Sequence, residues 1–360
     1  MAYYYDITED FKRYPNASLF VVFGGRSTGK TYSTLKCMYE NNKRFVFIKR
    51  TIDDVNLLCN GQTYGADTKK EKQQFRIDAS PFKPINRDIG SNVKAFKYYN
   101  GVGGFYKCTA DGEPVGEPIG YLFALSAVTK FKGFDLSECE FIIFDEFVPK
   151  PYDRVNKKEG EQLLDLFKTI ERDRLHRNAP KLKLICLANA DNAVSPVTQT
   201  FGITDDIVKL SMSNQEYLYN SETGLLLHNI KMNKEFMKTE GSSDIYKLMK
   251  GSQWEEMALE NKFGYNDFSQ VKKKFNTHRM RCLMRVLYDN KYHYVYIGEN
   301  GQYYITFSKS EHFIFDYDLR KDKDQFDFVT KAKYDIMRKP NVYFETYSLY
   351  YLYFKCDKIF

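Results

Sequence analysis

The amino-acid sequence predicts an α/β domain built on a parallel sheet, followed by a smaller α+β domain, and three observations carry that expectation. Between residues 18 and 190, short apolar runs alternate with helix-like stretches, the pattern of strands covered on both faces by crossover helices. A glycine-rich stretch, FGGRSTGKTY (23–32), stands between the first such run and the first helix. After about residue 205 the alternation stops, and residues 281–308 read as aromatic, β-branched strands joined at turn dipeptides.

In order, SLFVVF (18–23) is the first strand, a helix runs from Thr31 to about Asn42, and RFVFIKR (44–50) is the second strand. The polar run 64–81 reads as a surface loop or short helix. Residues 92–126 alternate aromatics with Asn-Gly, Gly-Gly and Asp-Gly, which predicts a β-hairpin insertion or edge extension. EFIIFDE (140–146) and KLKLICLANA (181–190) are two further buried strands, with a helical stretch from about Glu159 to Arg174 between them. Residues 232–269 mix polar linkers with short helices, RCLMRVLYDNKYHYVYIGENGQYYITFS (281–308) is an antiparallel meander, and 325–339 is a more helical tail. The expected boundaries are 1–205 for the first domain, 206–270 for a linker region and 271–360 for the second domain, with no internal repeat.

Composition narrows the function classes. The chain has 360 residues, enough for two cores, and 54 Lys+Arg against 47 Asp+Glu, a net charge of +7. Such a mixed, mildly basic surface fits contact with a polyanion through a local patch. The cysteines at 37, 59, 108, 139, 186, 282 and 356 form no C-x-x-C and no metal spacing with histidine, so a reduced interior is expected. The start has no signal-peptide pattern and no apolar run reaches the roughly 18 residues that span a bilayer, so a soluble protein without a membrane partner is expected.

The glycine-rich stretch satisfies G-x-x-x-x-G-K-T with Gly24, Gly29, Lys30 and Thr31, in the strand-to-helix context the motif needs. Gly24, Gly25 and Gly29 allow backbone N–H groups to turn toward phosphate oxygens, Arg26, Ser27 and Thr28 complete the loop, and the helix N-terminus adds its dipole. Lys30 would neutralise the β- and γ-phosphates of ATP, and the Thr31 hydroxyl would hold Mg²⁺. In EFIIFDE, Asp145 ends a buried strand where a carboxylate can hold the Mg²⁺ shell, and Glu146 is placed to polarise an attacking water. The bland readings are a packing turn for the glycines and a helix cap for a single Asp; the Asp-Glu doublet after such a strand argues for hydrolysis. Asn189 closes the fourth strand as a γ-phosphate sensor, or else as a loop cap.

Two strand-like segments separate the phosphate loop from EFIIFDE, the arrangement of the additional-strand catalytic-glutamate (ASCE) branch of P-loop NTPases. That order counts against adenylate-type kinases. GTPase identity is disfavoured because N-K-x-D is absent, NADN (189–192) ending in Asn192 instead.

FVVFGGRSTGKTY, FVFIKR, LSAVTKFKG, IIFDEFVPK and LLDLFKTIERDRLHRNAPKLKLICLANA together resemble the genome-packaging ATPases of phi29-like podophages over most of residues 18–200. The resemblance implies a homo-oligomeric ring, by analogy a pentamer, that docks on the portal of a viral procapsid in the host cytoplasm and drives double-stranded DNA inward with ATP. It leaves open whether a scaffold RNA takes part. It also implies cations delivered to a neighbour's nucleotide: Lys132, 13 residues before Asp145, with Lys130 as competitor, and Arg172, which stands where the family has its finger but follows Glu171 instead of an aromatic. The choice between Arg172 and Arg174 stays open, and on its own ERDRLHR reads as a solvated helix end.

Packaging ATPases of headful phages carry an RNase H-like nuclease after the motor, and the strands at 281–308 resemble that sheet. RCLMRVLY has no acidic residue and Asp289 falls in the turn, so a nuclease-like fold without nuclease activity is expected, gripping nucleic acid or portal. The basic stretch 269–281, with Lys272, Lys273, Lys274, His278, Arg279 and Arg281, suits DNA phosphates, and Lys69, Lys70 and Lys72 could line a ring's pore. The alternatives are another ring motor on nucleic acid such as a helicase or DNA-transfer ATPase, a P-loop small-molecule kinase, and a nucleotide-regulated binding protein.

Overall fold

A computed structural model describes residues 4–59, 79–131, 134–150, 153, 155–172, 174, 176–213, 215–231, 242–252, 263, 266, 268–288, 290–333, 335–336 and 341–354. The chain forms two compact units, Met1–Tyr265 and Asn266–Phe360.

The first unit is organised by a nine-stranded sheet. Its strands are β1 (Leu19–Gly24), β2 (Phe45–Lys49), β3 (Val93–Tyr99), β4 (Val102–Cys108), β5 (Pro114–Ala124), β6 (Phe141–Asp145), β7 (Lys183–Asn189), β8 (Tyr217–Asn220) and β9 (Leu225–Asn229). They lie in the order β3-β4-β5-β2-β6-β7-β1-β9-β8. The run from β5 to β9 is parallel, and both margins turn back antiparallel. The apolar runs read as central strands are central here, β6 being buried along its whole length, because a parallel strand has helices on both faces and no polar side to show.

The segment 92–126 is an edge extension: β3, β4 and β5 are antiparallel, and β5 then joins β2 in parallel. Gly101, at φ +80, supplies the left-handed position of the Asn-Gly turn between β3 and β4. At the opposite margin the expected linker is corrected. Residues 204–212 form a helix, and β8 and β9 extend the sheet, β9 pairing with β1. The apolar run in β9 is only Leu225–Leu227, too short to announce a strand, yet all five of its residues are buried. The polar run 64–81 lies outside the described residues up to 78.

Register sets the future site. Gly24 lies opposite Asn189, Asp145 opposite Leu187, and Ile48 opposite Phe144, so the C-terminal ends of β1, β7, β6 and β2 meet along one edge. That edge is where open α/β sheets receive ligands. Helix α1 (Ile7–Arg13) precedes β1, α2 (Lys30–Glu40) follows it, and α3 (Ile52–Leu58), closed by a Thr51/Asp54 capping box, follows β2. Aromatic side chains fill the layers: Phe45, Phe82 and Phe105 pack with centroids 5.1–6.4 Å apart on one side, and Phe23, Phe144 and Phe147 form a second group under the strand ends.

The second unit is a five-stranded sheet, β13-β10-β11-β12-β14. The expected meander is β10 (Met280–Tyr288), β11 (Lys291–Gly298) and β12 (Tyr303–Thr306); β13 (Phe315–Asp318) and β14 (Val342–Phe344) add in parallel outside it. The expected helical tail, 325–339, holds the end of a helix at Lys323–Asp327 and a π-type turn at Phe328–Lys333, and a last helix at Tyr347–Phe354 lies beyond it. Tyr350 and Tyr353 of that last helix pack on Phe344. Burial pushes the His293 imidazole down to about 3, and its Nε2 bonds Tyr353 Oη at 2.9 Å as part of a neutral core. Among the described residues, no helix is long and apolar enough to cross a membrane.

The helix Glu159–Glu171 seats tightly on the helix Pro196–Thr200: a Cβ added at Gly160 would lie 2.1 Å from Thr200 Oγ1 and 2.8 Å from the Pro196 carbonyl oxygen. Gly160→Ala is therefore expected to cost about 1–3 kcal/mol through overpacking, despite alanine's better helix propensity. Urea unfolding measures it, and an unchanged midpoint would contradict this packing.

Candidate functional site

The glycine-rich stretch leaves β1 at Gly24 and enters α2 at Lys30 through two left-handed residues, Ser27 at φ +61 and Gly29 at φ +81. No side chain caps α2, so the helix N-terminus faces the loop with its N–H groups. A Cβ at Gly24 would come 2.8 Å from Ile230 Cδ1, 3.1 Å from Thr28 Oγ1 and 3.3 Å from Ile230 Cβ, so a larger residue at the strand end would have to displace both side chains. Thr28 Oγ1 donates to the Gly25 carbonyl at 3.0 Å.

Lys30 folds into the loop. Its Nζ donates to the carbonyls of Gly24 at 3.1 Å and Gly25 at 2.8 Å, to Thr28 Oγ1 at 3.1 Å, and to Asn189 Oδ1 at 3.3 Å. The residue is only 8% exposed, and burial lowers its ammonium to about 8 against the pull of Asp145, Asp191 and Glu146. Asn189 thus touches Lys30 from the end of the neighbouring strand β7.

Asp145 is the hub. Its Oδ1 accepts from Thr31 Oγ1 at 2.6 Å and its Oδ2 from Lys49 Nζ at 2.8 Å, while the residue stays 8% exposed. Lys49 Nζ reaches Glu146 Oε2 as well, at 3.2 Å. Burial opposes the charge of Lys49, but attraction to Asp145 and Glu146 and hydrogen bonds to both outweigh it, leaving the ammonium above its ordinary value.

Glu146 sits at φ +55, a left-handed position rare for a residue with a side chain. The turn is gripped by Arg50, whose Nη2 donates to the carbonyls of Glu146 at 3.2 Å and Phe147 at 2.8 Å. Arg50 Nε donates to Glu159 Oε1 at 2.9 Å, and Glu159, 2% exposed, is raised by burial although Arg50 pulls the other way. Phe147 is fully buried and its N–H donates to the Leu187 carbonyl. A cavity of about 220 Å³ opens beside the turn, lined among others by Arg50, Glu146, Lys150, Asn189 and Asp191.

Arg26, left without a role by the sequence, lies with Nη2 3.8 Å from Asp191 Oδ1. Asp191 is 4% exposed and raised by burial, with Arg26, Lys150 and Lys30 pulling it back. Lys132 lies outside the described residues.

The two arginines left open by the sequence differ sharply. The helix stops at Glu171, and Arg172, at φ −47 and ψ 132, is exposed at its end beside a groove lined by Phe134, Asp135, Leu136, Ser137 and Arg177. Arg174, 3% exposed, donates to the carbonyls of Ser137 at 3.1 Å, Pro180 at 2.8 Å, Ile170 at 3.4 Å and Cys139, and burial lowers its guanidinium. The solvated helix end read in ERDRLHR does not extend to Arg174, whose donors are spent on backbone acceptors. Lys49, Arg50 and Asp191 were not picked out from the sequence. A cation closing an apolar strand was the available signal for the first two, but which strand lies beside β6 is not written locally.

Arg174→Met is expected to lower stability by about 2–4 kcal/mol, because several buried carbonyls lose their donor at once, while Arg172→Ala should stay within about 0.5 kcal/mol. Thermal melts of the two variants decide it; similar shifts would contradict the assignment.

The geometry can be set beside known proteins. A family model described as podovirus DNA encapsidation protein (Gp16) matches residues 116–359. A DNA packaging protein of Bacillus phage B103 is 26% identical over 250 residues, a match that covers 67% of this chain and 63% of that relative's length. Among solved structures, the bacteriophage phi-29 viral genome packaging motor assembly matches with a TM-score of 0.61 over 97% of both chains at 18% identity. The phi-28 gp11 DNA packaging motor matches with a TM-score of 0.56 over 99% of both chains at 16% identity. These two share the fold. The family match starts after the glycine-rich loop but takes in Asp145, Glu146, Arg172 and Asn189 and spans well over half of the sequence; the chain belongs to the podovirus DNA encapsidation protein (Gp16) family.

Proposed function

We propose that this chain is an ATPase that translocates viral double-stranded DNA into a preformed capsid through its portal, working as a homo-oligomeric ring in the host cytoplasm while docked on the procapsid. The observation that carries the reading is the gathering of Lys30, Thr31, Asp145, Glu146 and Asn189 on one strand edge in a chain of the DNA encapsidation family. The sheet order supports the ASCE reading, since β7, bearing Asn189, lies between the loop strand β1 and the acidic strand β6. A pentamer is proposed on the resemblance alone, and a scaffold RNA is not required by the proposal.

In this mechanism the backbone of Gly24–Thr31, with Arg26, Ser27 and Thr28 in the turn, cradles the phosphates, and Lys30 exchanges loop carbonyls for phosphate oxygens. The donor set of a Thr hydroxyl and a carboxylate fits Mg²⁺, and Thr31 and Asp145, already in contact, are the residues that would hold it. Bound there, Mg²⁺ would neutralise developing phosphate charge. Glu146, standing up from a left-handed turn and 58% exposed, orients and deprotonates the attacking water, with Lys49 fixing one carboxylate oxygen. Asn189 reads the γ-phosphate through the same region that Lys30 occupies. Arg172 is the preferred trans cation over Arg174, being exposed where Arg174 is engaged, and Lys132 keeps its proposed trans role from the resemblance.

We read the second unit as a nuclease-like fold without nuclease activity that grips nucleic acid or portal. Support comes from the middle of β10, which offers Arg285 where two-metal cleavage would need carboxylates, and this Arg pairs with Asp316 of β13. The basic stretch 269–281 is its proposed DNA-contacting segment.

Purified empty capsids, portal and DNA test the proposal: wild type should protect DNA from added nuclease in an ATP-dependent way and leave free DNA uncut with Mg²⁺ or Mn²⁺. Glu146→Gln should lose at least about 100-fold in ATP turnover. Mixing it with Arg172→Ala subunits should restore part of the turnover. Normal ATPase activity without protected DNA would sink the translocase reading, and no rescue at any ratio would sink the trans role of Arg172.

Lys30 gives a pH test. With its folded value lowered to about 8 from 10.5, the unfolded chain binds more protons here between those limits, so this residue's contribution to stability rises with pH across that window. Nucleotide phosphates favour the charged form, so Mg-ATP binding should take up about one proton near pH 9 and almost none at this site near pH 7. Calorimetry in buffers of different ionisation enthalpy measures it; equal uptake at both values would contradict the assignment.

A further inference from the structure

The residues above account for the phosphate end of a nucleotide and leave the base without a partner. We propose that Tyr4 is the stacking wall for the base, held in place by the N-terminal strap Tyr4–Ile7; the proposal rests on the reading of residues 24–31 as a phosphate cradle.

The strap is fixed at two points, one on the loop and one on α2. The Tyr5 N–H donates to the Thr28 carbonyl at 2.9 Å, and the Ile7 N–H donates to Ser33 Oγ at 2.9 Å. Asp6 caps α1 by accepting from the Thr8 N–H at 2.9 Å. Tyr5, 8% exposed, turns inward, and its hydroxyl donates to Asp10 Oδ2 at 2.8 Å, an oxygen that also bonds His228 Nδ1 at 2.8 Å on β9. With Tyr5 and Ile7 directed into the protein, Tyr4 is left outward, 63% exposed.

The Tyr4 side chain lies over the loop itself. A Cβ placed on Gly29 would sit 3.4 Å from Tyr4 Cβ and Cδ1 and 3.7 Å from Cγ, ordinary contact distance. The direction is right for a base. Thr31 faces Asp145, which marks the γ-phosphate side; Ser33, two residues on, is turned by about 200° around the helix and receives the strap. A nucleotide whose γ-phosphate lies toward Asp145 and Asn189 therefore carries its sugar and base toward the strap, where an exposed ring borders the cradle. Stacking on such a ring is worth about 1–3 kcal/mol per base and tolerates any base, because every base offers a π-face.

The test compares ATP with inorganic tripolyphosphate, each with Mg²⁺, on the full chain. Tyr4→Ala should weaken ATP binding about ten-fold and leave tripolyphosphate within about two-fold. Tyr4→Trp should keep ATP affinity, and its added fluorescence should be quenched by ATP but not by tripolyphosphate. Equal loss for both probes in Tyr4→Ala would mean that the strap merely shapes the loop, and no loss for either would remove Tyr4 from the site; each outcome overturns the proposal. If wild type bound neither probe, the phosphate-cradle reading itself would fall, and this inference with it.

Discussion

One carboxylate holds the site together. Asp145 gives one oxygen to Thr31 at the head of α2 and the other to Lys49 at the end of β2, so a single side chain joins three elements whose residues are far apart in sequence. Burying an ion pair is costly, and this one persists because both carboxylate oxygens are engaged and Lys49 is doubly bonded. Removing one partner would leave a buried charge uncompensated, an effect on the order of 3–5 kcal/mol. Lys49 also sits between the carboxylates of Asp145 and Glu146 and offsets their mutual repulsion. The arrangement depends on strand register: shifting β2 by one residue against β6 would turn the Lys49 side chain to the other face of the sheet.

The second constraint is the turn at Glu146. A left-handed non-glycine residue costs on the order of 1–2 kcal/mol, and here the surroundings fix it from both sides. Phe147, buried against Phe23 and Phe144, pulls the chain down after the turn, and Arg50 holds the two carbonyls around it. The strain lifts the Glu146 side chain off the sheet edge into the cavity it shares with Asn189 and Asp191. Arg50 is itself held by Glu159, the first residue of the helix that ends just before Arg172, so one rigid helix sets both the clamp on the turn and the exit point of the arginine.

Much of this was legible in the sequence, for a physical reason. The glycine-rich loop is local chemistry: glycines, a lysine and a threonine at fixed spacing between a buried strand and a helix, and Asp145-Glu146 closes an apolar run that reads as a strand. The structure brings Lys30, Thr31, Asp145 and Asn189 together from those signals alone. What stayed hidden is non-local. Lys49 and Arg50 lie within FVFIKR, yet only the adjacency of β2 and β6 turns them from strand-end cations into partners of the acidic pair and its turn. Arg26 acquires Asp191 across β1 and β7, and β9 gains its identity by pairing with β1. Residues 4–7 offered no motif, because a strap is recognised by what it touches.

Arg172 and Arg174 show how burial decides between residues that sequence treats alike. A guanidinium that must reach a neighbouring subunit needs free donors, a fixed backbone and an exposed path. Arg174 fails on the first count, since withdrawing it would strand the carbonyls of Ser137, Cys139 and Pro180 in a low-dielectric interior. Arg172 meets the second through Arg177, whose Nη2 donates to the Arg172 carbonyl at 3.1 Å, and the third through its exposure. The helix end is thereby anchored by one arginine and oriented by another, while the arginine between the helix and that anchor keeps its head group in solvent. On the proposal that Arg172 acts in trans, this division means that only its side chain would have to be ordered when a neighbour docks, so the conformational entropy lost would be that of one side chain instead of a loop.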